Sequence, residues 1–319
     1  MPRIAILDDY QNVARGFADW GRLPAGWSLD VFNRQIVGEA AVAEALADHD
    51  AVVIMRERTP FPASLINRLP KLRLLVTSGP RNASIDLKAA AAKGVTVCGT
   101  DSMAHPPMEI AWALIFALMR QVPREDRAMR EGRWQLSVGR CLKGRILGLA
   151  GLGKLGGAMV PVAKALGMRV IAWSENLTAE RAAEAGAERV EKDALFRDSD
   201  IVSVHLLLSP RTRGLIGARE IGLMRKDAYL VNTSRGPIVD EAAMIDALRA
   251  GRIAGAGLDV FDLEPLPKDH PLLKLENTVL TPHLGYVSEE NYRNYYGQGL
   301  EDILAWIGGQ PIRTIPPPA

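Results

Sequence analysis

Only two cysteines, Cys98 and Cys141, occur in the 319 residues. Two thiols can build neither a disulfide framework nor a zinc site, and their scarcity fits a reducing compartment. Charge of one sign is lacking too. With 39 basic against 37 acidic residues the formal net charge is +2, so no basic excess argues for nucleic acid. Long apolar runs are also missing: the longest, Ile110 to Met119, falls well short of the ~20 residues a membrane span needs. No His, Cys, Asp or Glu cluster has metal-ligand spacing, and no serine sits in a nucleophile elbow, so neither a metal site nor serine hydrolase chemistry is expected. The opening run Met1–Asp9 is short and closes with two aspartates, which reads as a first buried strand rather than a signal peptide. The cytoplasm is the expected location.

What is present is ordinary globular material, 48% hydrophobic and 24% charged, in a chain long enough for two cores. Two strand-helix series follow one another. Strands are expected at Ile4–Leu7, Ala51–Met55, Leu72–Val76 and Val95–Cys98, with helices at Gly38–Ala47, Ser64–Leu69 and Ile85–Lys93 between them. Strands of the second series are expected at Arg145–Ala150, Met168–Trp173, Asp200–Leu206, Ala228–Asn232, Gly255–Asp259 and Thr278–Thr281. Helices at Lys154–Leu166, Ala179–Ala185, Ala218–Leu223 and Glu241–Ala250 alternate with these. Apolar strands alternating with helices predict α/β architecture, in doubly wound parallel sheets covered on both faces. Pro106-Pro107 precedes a helix near Met108–Met119, another follows Pro123, and Ser288–Ile307 is helical. Ile312–Ala319 is a Pro-rich tail without a core pattern.

The run Gly144–Ala150 leads into Gly151-Leu152-Gly153-Lys154-Leu155-Gly156, a G-x-G-x-x-G between a strand and a helix. In that context Gly151 permits the tight turn, Gly153 lets a pyrophosphate approach the backbone, and Gly156 allows close helix packing. The unpaired N–H groups of the helix start face the negative charge. Pro161 falls inside this helix and is expected to kink it. The second strand ends in Trp173-Ser174-Glu175-Asn176. Ser174 stands where an acidic residue often reads the ribose, and Glu175 would repel a 2′-phosphate, so the reading leans to NAD and leaves NADP open.

Three later segments carry groups for chemistry. Val231–Asp240 places Arg235 after an apolar strand, Gly257–Pro265 places carboxylates after a second, and Leu280–Gly285 places His283 after a third. A guanidinium grips a carboxylate in a two-pronged fork. An imidazole exchanges a hydroxyl proton near neutral pH, and a carboxylate beside it stabilises the imidazolium. Either Glu264 or Asp262 could be that carboxylate. Asp259, at the end of the second of these strands, can satisfy backbone N–H groups there. His205 is open between a semi-buried structural role and a functional one, while His49 and His270 are expected to be solvated in polar loops.

The segments GLGKLG, VNTSRGPIVDE, GLDVFDLEP and TPHLG, in this order and spacing, resemble the D-isomer-specific 2-hydroxyacid dehydrogenases. The likeness runs through nearly the whole chain and is strongest from Gly144 to Gly285. It implies hydride transfer between NAD(P)H and a small 2-oxo or 2-hydroxy acid such as glyoxylate, hydroxypyruvate or a phosphoglycerate-like acid. It also implies a flavodoxin-like substrate domain, residues 1–104 plus 288–319, a Rossmann dinucleotide-binding domain, residues 105–287, and a cleft between them. By resemblance Arg235, Glu264 and His283 are catalytic, and Ser78 and Gly79 bind the substrate carboxylate along with Arg235 and His283. Gly151, Gly153, Lys154, Leu155, Gly156, Ser174, Glu175, His205, Leu206, Thr212, Thr233, Arg235, Asp259 and His283 would border the cofactor. A homodimer is implied, with the Arg-rich run Arg120–Arg133 as either a solvated face or a dimer arm. Tyr286, just past His283, departs from the small residues frequent there, and Asp101–Pro107 is unusual. The alternative function is an NAD(H)-sensing binding protein of the same fold without significant turnover.

Overall fold

The structure is a computed structural model that describes residues 1–103 and 105–318. Ala104 and Ala319, at the edges of two features expected above, lie outside the described residues. Contacts divide the chain into two compact units, Met1–Met103 with Ser288–Ala319, and Ala104–Val287.

The first unit is built on a five-stranded parallel sheet of β1 (Arg3–Ile6), β2 (Ser28–Val31), β3 (Ala51–Ile54), β4 (Leu74–Thr77) and β5 (Thr96–Gly99). Its strand order, β2-β1-β3-β4-β5, is that of a flavodoxin-like doubly wound sheet. All four residues of β3 and of β4 are buried. Burial on both faces explains why these strands read as unbroken apolar runs instead of alternating ones. β2 was not expected: as an edge strand it is half-exposed, and Ser28 and Asp30 interrupt its pattern. Helix Glu289–Ile307 returns the C-terminal chain to this unit.

The tail beyond that helix is not loose. The Gly99 N–H donates to the Arg313 carbonyl at 3.0 Å and the Ile315 N–H to the Val97 carbonyl at 2.8 Å, so residues 313–315 lie antiparallel along β5. The Arg313 guanidinium reaches back to the helix, donating to Asp302 Oδ1 at 2.9 Å, the Gln298 carbonyl and Glu301. Asp302 is fully buried, and burial pushes its carboxyl up to about 7 against the opposing pull of Arg313. A folded value above the ordinary 3.8 means that this group's contribution is fully present below about pH 4 and is lost as pH rises through about 7. Asp302→Asn should therefore flatten the stability profile, gaining on the wild type between pH 4 and pH 8 in urea-midpoint measurements. Parallel profiles would rule out Asp302 as the source.

The second unit carries seven parallel strands: β6 (Ile146–Ala150), β7 (Arg169–Trp173), β8 (Glu188–Arg189), β9 (Ile201–Val204), β10 (Tyr229–Asn232), β11 (Gly255–Leu258) and β12 (Thr278–Leu280). The order β12-β11-β10-β9-β6-β7-β8 is a Rossmann sheet whose topology reverses between β6 and β9. Six strands were expected here. The seventh, β8, is a two-residue exposed edge, and the short helix Lys192–Asp198 after it was also unanticipated. Apolar clusters cover both faces, one around Leu230, Phe196 and Ile245, the other around Leu149, Met159 and Trp112. Pro161 does not interrupt helix Lys154–Ala165, which is continuous through it. Lacking an N–H, Pro161 only leaves the Gly157 carbonyl without its helical donor.

Candidate active site

The turn after β6 sits at the point where the strand order of the second unit reverses, the place where ligands of such sheets bind. Gly151 has φ +101°, and a Cβ there would come within 2.6 Å of the His205 carbonyl oxygen. A Cβ on Gly156 would lie 2.1 Å from the Gly151 carbonyl oxygen, whereas one on Gly153 would meet nothing within 4 Å. The first and third glycines thus close the turn, and the second leaves its outer face open. Gly153 caps the helix with no side-chain partner, so the N–H groups of its first turn point outward beside Lys154 and Leu155.

His205 and Leu206, just past β9, back this turn. Desolvation pushes the His205 imidazole down to about 4, so the ring is neutral near pH 7, and its Nε2 lies 2.9 Å from Ser203 Oγ. Thr212 ties the following loop together, its hydroxyl donating to the Leu207 carbonyl at 2.6 Å and accepting from the Ser209 N–H at 2.8 Å. Ser174 is half-buried at the end of β7, and Glu175 is exposed beside it.

Three adjacent strands, β10, β11 and β12, pair in parallel register, Asn232 beside Leu258 and Leu258 beside Leu280. Their carboxyl ends therefore release Thr233–Arg235, Asp259–Glu264 and Thr281–His283 from one sheet edge, at strand spacings of about 4.8 Å. Thr233 and Ser234 are buried, and the Arg235 Nη1 donates to the Ser234 carbonyl at 2.7 Å. The next residue must be glycine, because a Cβ on Gly236 would fall 2.1 Å from the Phe261 carbonyl carbon. This close approach presses the Arg235 turn onto the segment that leads to Glu264.

Glu264 is the carboxylate that meets the imidazole: its Oε2 lies 2.5 Å from His283 Nδ1, and its Oε1 accepts the Phe261 N–H at 3.0 Å. Asp262 is exposed, and its N–H donates to Glu241 at 3.4 Å. Partial desolvation by its neighbours, then the nearby Glu241 charge, raises the Asp262 carboxyl above its ordinary range. Asp259 is fully buried, and burial raises its carboxyl against the pull of Thr281 and the Leu284 N–H. The Tyr286 ring packs edge-on to the His283 ring, centroids 5.6 Å apart.

Residues 112–285 match the model described as "D-isomer specific 2-hydroxyacid dehydrogenase, NAD binding domain". That is more than half of the chain. The chain belongs to this family. A glyoxylate reductase of Korarchaeum cryptofilum is 37% identical over 324 residues, covering 99% of this chain and 95% of that protein. A hydroxypyruvate reductase of Blautia hydrogenotrophica is 28% identical over 98% and 99% of the two chains. Among solved structures, a phosphoglycerate oxidoreductase from Vibrio cholerae superposes with a TM-score of 0.92 at 35% identity, covering 97% of this chain and 100% of that one.

Membership makes the protein an NAD-dependent oxidoreductase acting on a CH–OH donor. The residues present fit the dinucleotide: an open face at Gly153, a helix start with no capping side chain, and a neutral His205 behind the turn. No described helix is long and apolar enough to cross a membrane.

In the first unit, Ser78 and Gly79 lie just past β4. Their N–H groups already have partners, the Ile54 carbonyl at 3.1 Å and Thr100 Oγ1 at 2.8 Å. Sequence reading missed Arg56 there. Its Nη1 fills the space where a Gly79 Cβ would stand, 1.9 Å away, and donates to the Ser78 carbonyl at 3.3 Å. The positive φ of Gly79, +92°, belongs to the same arrangement, and a glycine after an apolar strand is the only sequence sign of it. Two other histidines also differ from expectation. His49 is buried with Nε2 3.0 Å from Asp30 Oδ2, and His270 lies 3.1 Å from Glu241. Each loop histidine found a carboxylate in a partner brought close only by folding.

Proposed function

We propose that the protein interconverts a small 2-oxo acid and the corresponding D-2-hydroxy acid, with Arg235, Glu264 and His283 as its reacting groups. The observation that carries this reading is the 2.5 Å contact between His283 Nδ1 and Glu264, formed at the sheet edge that also releases Arg235. When bound, a nicotinamide cofactor would supply the chemistry of hydride exchange at C2. With Nδ1–H held by Glu264, His283 gives its Nε2 proton to the carbonyl oxygen in reduction and recovers it in oxidation. The Glu264 carboxylate stabilises the imidazolium that precedes the transfer. Arg235 holds the acid in a two-pronged grip and offsets the charge growing on the C2 oxygen. In the first unit, the carboxylate-binding role proposed for the turn at Ser78 and Gly79 falls to the Arg56 guanidinium laid across it, because both of those N–H groups already have partners.

The small substrates in the relatives' names, glyoxylate and hydroxypyruvate, support a short side chain at C2. A phosphorylated hydroxy acid stays within the same reading, since a solved relative is named for phosphoglycerate. NAD is preferred over NADP because Glu175 would repel a 2′-phosphate. A homodimer is supported by exposed apolar residues on one segment, Trp134 at 71% and Val138 at 97% exposure, with Val122 and Met129 near them. Cys141 is an exposed free thiol, a state that the cytoplasm preserves. Initial rates with glyoxylate, hydroxypyruvate and bulkier 2-oxo acids, each with NADH and NADPH, test the reading. Fastest turnover is expected with a two- or three-carbon acid and NADH, in a species whose light-scattering mass is that of two chains. No turnover of any 2-oxo acid would overturn it.

A further inference from the structure

We propose that Asn82 is the positioning residue for Arg56. Its amide fixes the turn from which the guanidinium reaches an acid group, and so sets affinity for the acid without entering the proton or hydride step. This rests on the reading of Arg56 as the carboxylate-binding group of the first unit.

Arg56 is the second residue past β3, and its side chain is only 21% exposed. Among the described residues its guanidinium makes one hydrogen bond, from Nη1 to the Ser78 carbonyl at 3.3 Å. Its ion-pair partner, Glu57 Oε2, stands 3.9 Å from Nε, beyond hydrogen-bond reach. Most of the guanidinium's N–H donors are thus left for another acceptor. A largely buried cation with so little compensation is costly until an anion joins it.

The backbone beneath the guanidinium is strained and clamped. Arg56 has φ 52°, in the left-handed region that a non-glycine residue keeps only where its surroundings enforce it. The enforcing contacts come from the segment after β4. The Arg56 N–H donates to Ser78 Oγ at 2.8 Å, and the Arg56 carbonyl accepts from Asn82 Nδ2 at 2.6 Å. Asn82 is itself buried, with its amide held in one orientation. Its Oδ1 accepts from the Ser84 N–H at 2.9 Å and from Ser84 Oγ at 2.7 Å, while Nδ2 also donates to Thr77 Oγ1 at 2.9 Å. The full capacity of the amide therefore goes into tying the Arg56 turn to β4 and to Ser84. The two segments meet again where the Phe61 N–H donates to the Ser84 carbonyl at 2.8 Å.

Ser78 touches the guanidinium as well as the backbone, whereas Asn82 touches the backbone alone. Without the Asn82 amide, the Arg56 carbonyl loses its donor and the left-handed turn loses one of its two clamps. A grip on the non-reacting end of the acid is equally strong before and in the transition state, so weakening it raises KM and leaves kcat.

The test compares Asn82→Ala, Thr77→Val, Arg56→Gln and the Asn82→Ala/Arg56→Gln double variant with the wild type, using the 2-oxo acid turned over fastest and NADH. For Asn82→Ala we expect KM for the acid to rise about 10-fold, with kcat and the NADH dissociation constant within about threefold of wild type. Arg56→Gln should raise KM by about 10- to 100-fold. In the double variant the Asn82 substitution should add less than about twofold, because nothing remains to be positioned. Oxalate, a two-carbon acid with no ketone to reduce, should lose affinity in parallel by fluorescence titration of the NADH complex, a readout that stands even if no 2-oxo acid is reduced. Should Asn82→Ala fail to fold, Thr77→Val removes one acceptor of the same amide at nearly constant shape and should raise KM about threefold. Effects that multiply fully in the double variant, or a loss confined to kcat, would overturn the proposal. A raised KM in Arg56→Gln beside unmoved values in Asn82→Ala and Thr77→Val would sink it alone. Wild-type KM and oxalate affinity in Arg56→Gln would instead remove the carboxylate reading of Arg56, and the positioning role with it.

Discussion

His283→Ala should lower kcat by roughly 10²–10⁴-fold, the usual size of a lost general acid, while NADH affinity changes little. The expectation follows from the way the ring is built into the site. Its Nδ1 is taken up by Glu264 at 2.5 Å, which orients the imidazole. Alanine removes the proton donor and also leaves the Glu264 carboxylate, anchored by the Phe261 N–H, without its partner. Hydride transfer to an unprotonated carbonyl must then draw its proton from water, and that is where the rate is lost. Steady-state kinetics at saturating NADH, with the cofactor dissociation constant measured separately, give the result. Near-wild-type kcat in the alanine variant would end the assignment of His283 as acid and base.

Arg235→Lys should lower kcat/KM by about 10²–10³-fold, with KM raised and kcat reduced together, the size expected for losing about 3–4 kcal/mol of transition-state binding. Lysine keeps the charge, so the comparison isolates geometry. The guanidinium presents parallel N–H donors to a carboxylate, and an ammonium offers a point charge on a flexible stem. The stem begins from a fixed backbone, because Gly236 lies against the Phe261–Asp262 main chain with no room for a side chain. The lysine cannot recover the fork by shifting its backbone. If kcat and KM both stayed at wild-type values, Arg235 would have no part in gripping the acid.

The sequence disclosed these two groups because each follows an apolar strand and precedes a polar turn, a pattern that survives without coordinates. The buried strands were legible for the same reason: Ala51–Ile54 and Leu74–Thr77 are covered on both faces and can hardly be anything but hydrophobic. Edges were not legible. Ser28–Val31 and Glu188–Arg189 each pair on one side only, so their residues answer to water as much as to the sheet. Contacts between distant segments were harder still. No local pattern announces that Arg56 will lie across Gly79, or that Asp30 will meet His49. Asp259 shows the intermediate case. Its place at a strand end marked it as important, but only folding revealed that its donors come from the segment around His283. The choice between Glu264 and Asp262 was likewise a matter of loop register, which sequence spacing does not fix.

The antiparallel run at residues 313–315 also governs how molecules avoid one another. A sheet margin with unanswered main-chain donors and acceptors is a template on which strands from other molecules can add, the first step toward insoluble assemblies. Here residues 313–315 of the same chain occupy that template, and the Arg313 side chain bolts them to the helix behind. Trimming the chain before Arg313 would thus uncover a sticky rim, and the loss would surface as poor solubility at concentration before any change in the chemistry.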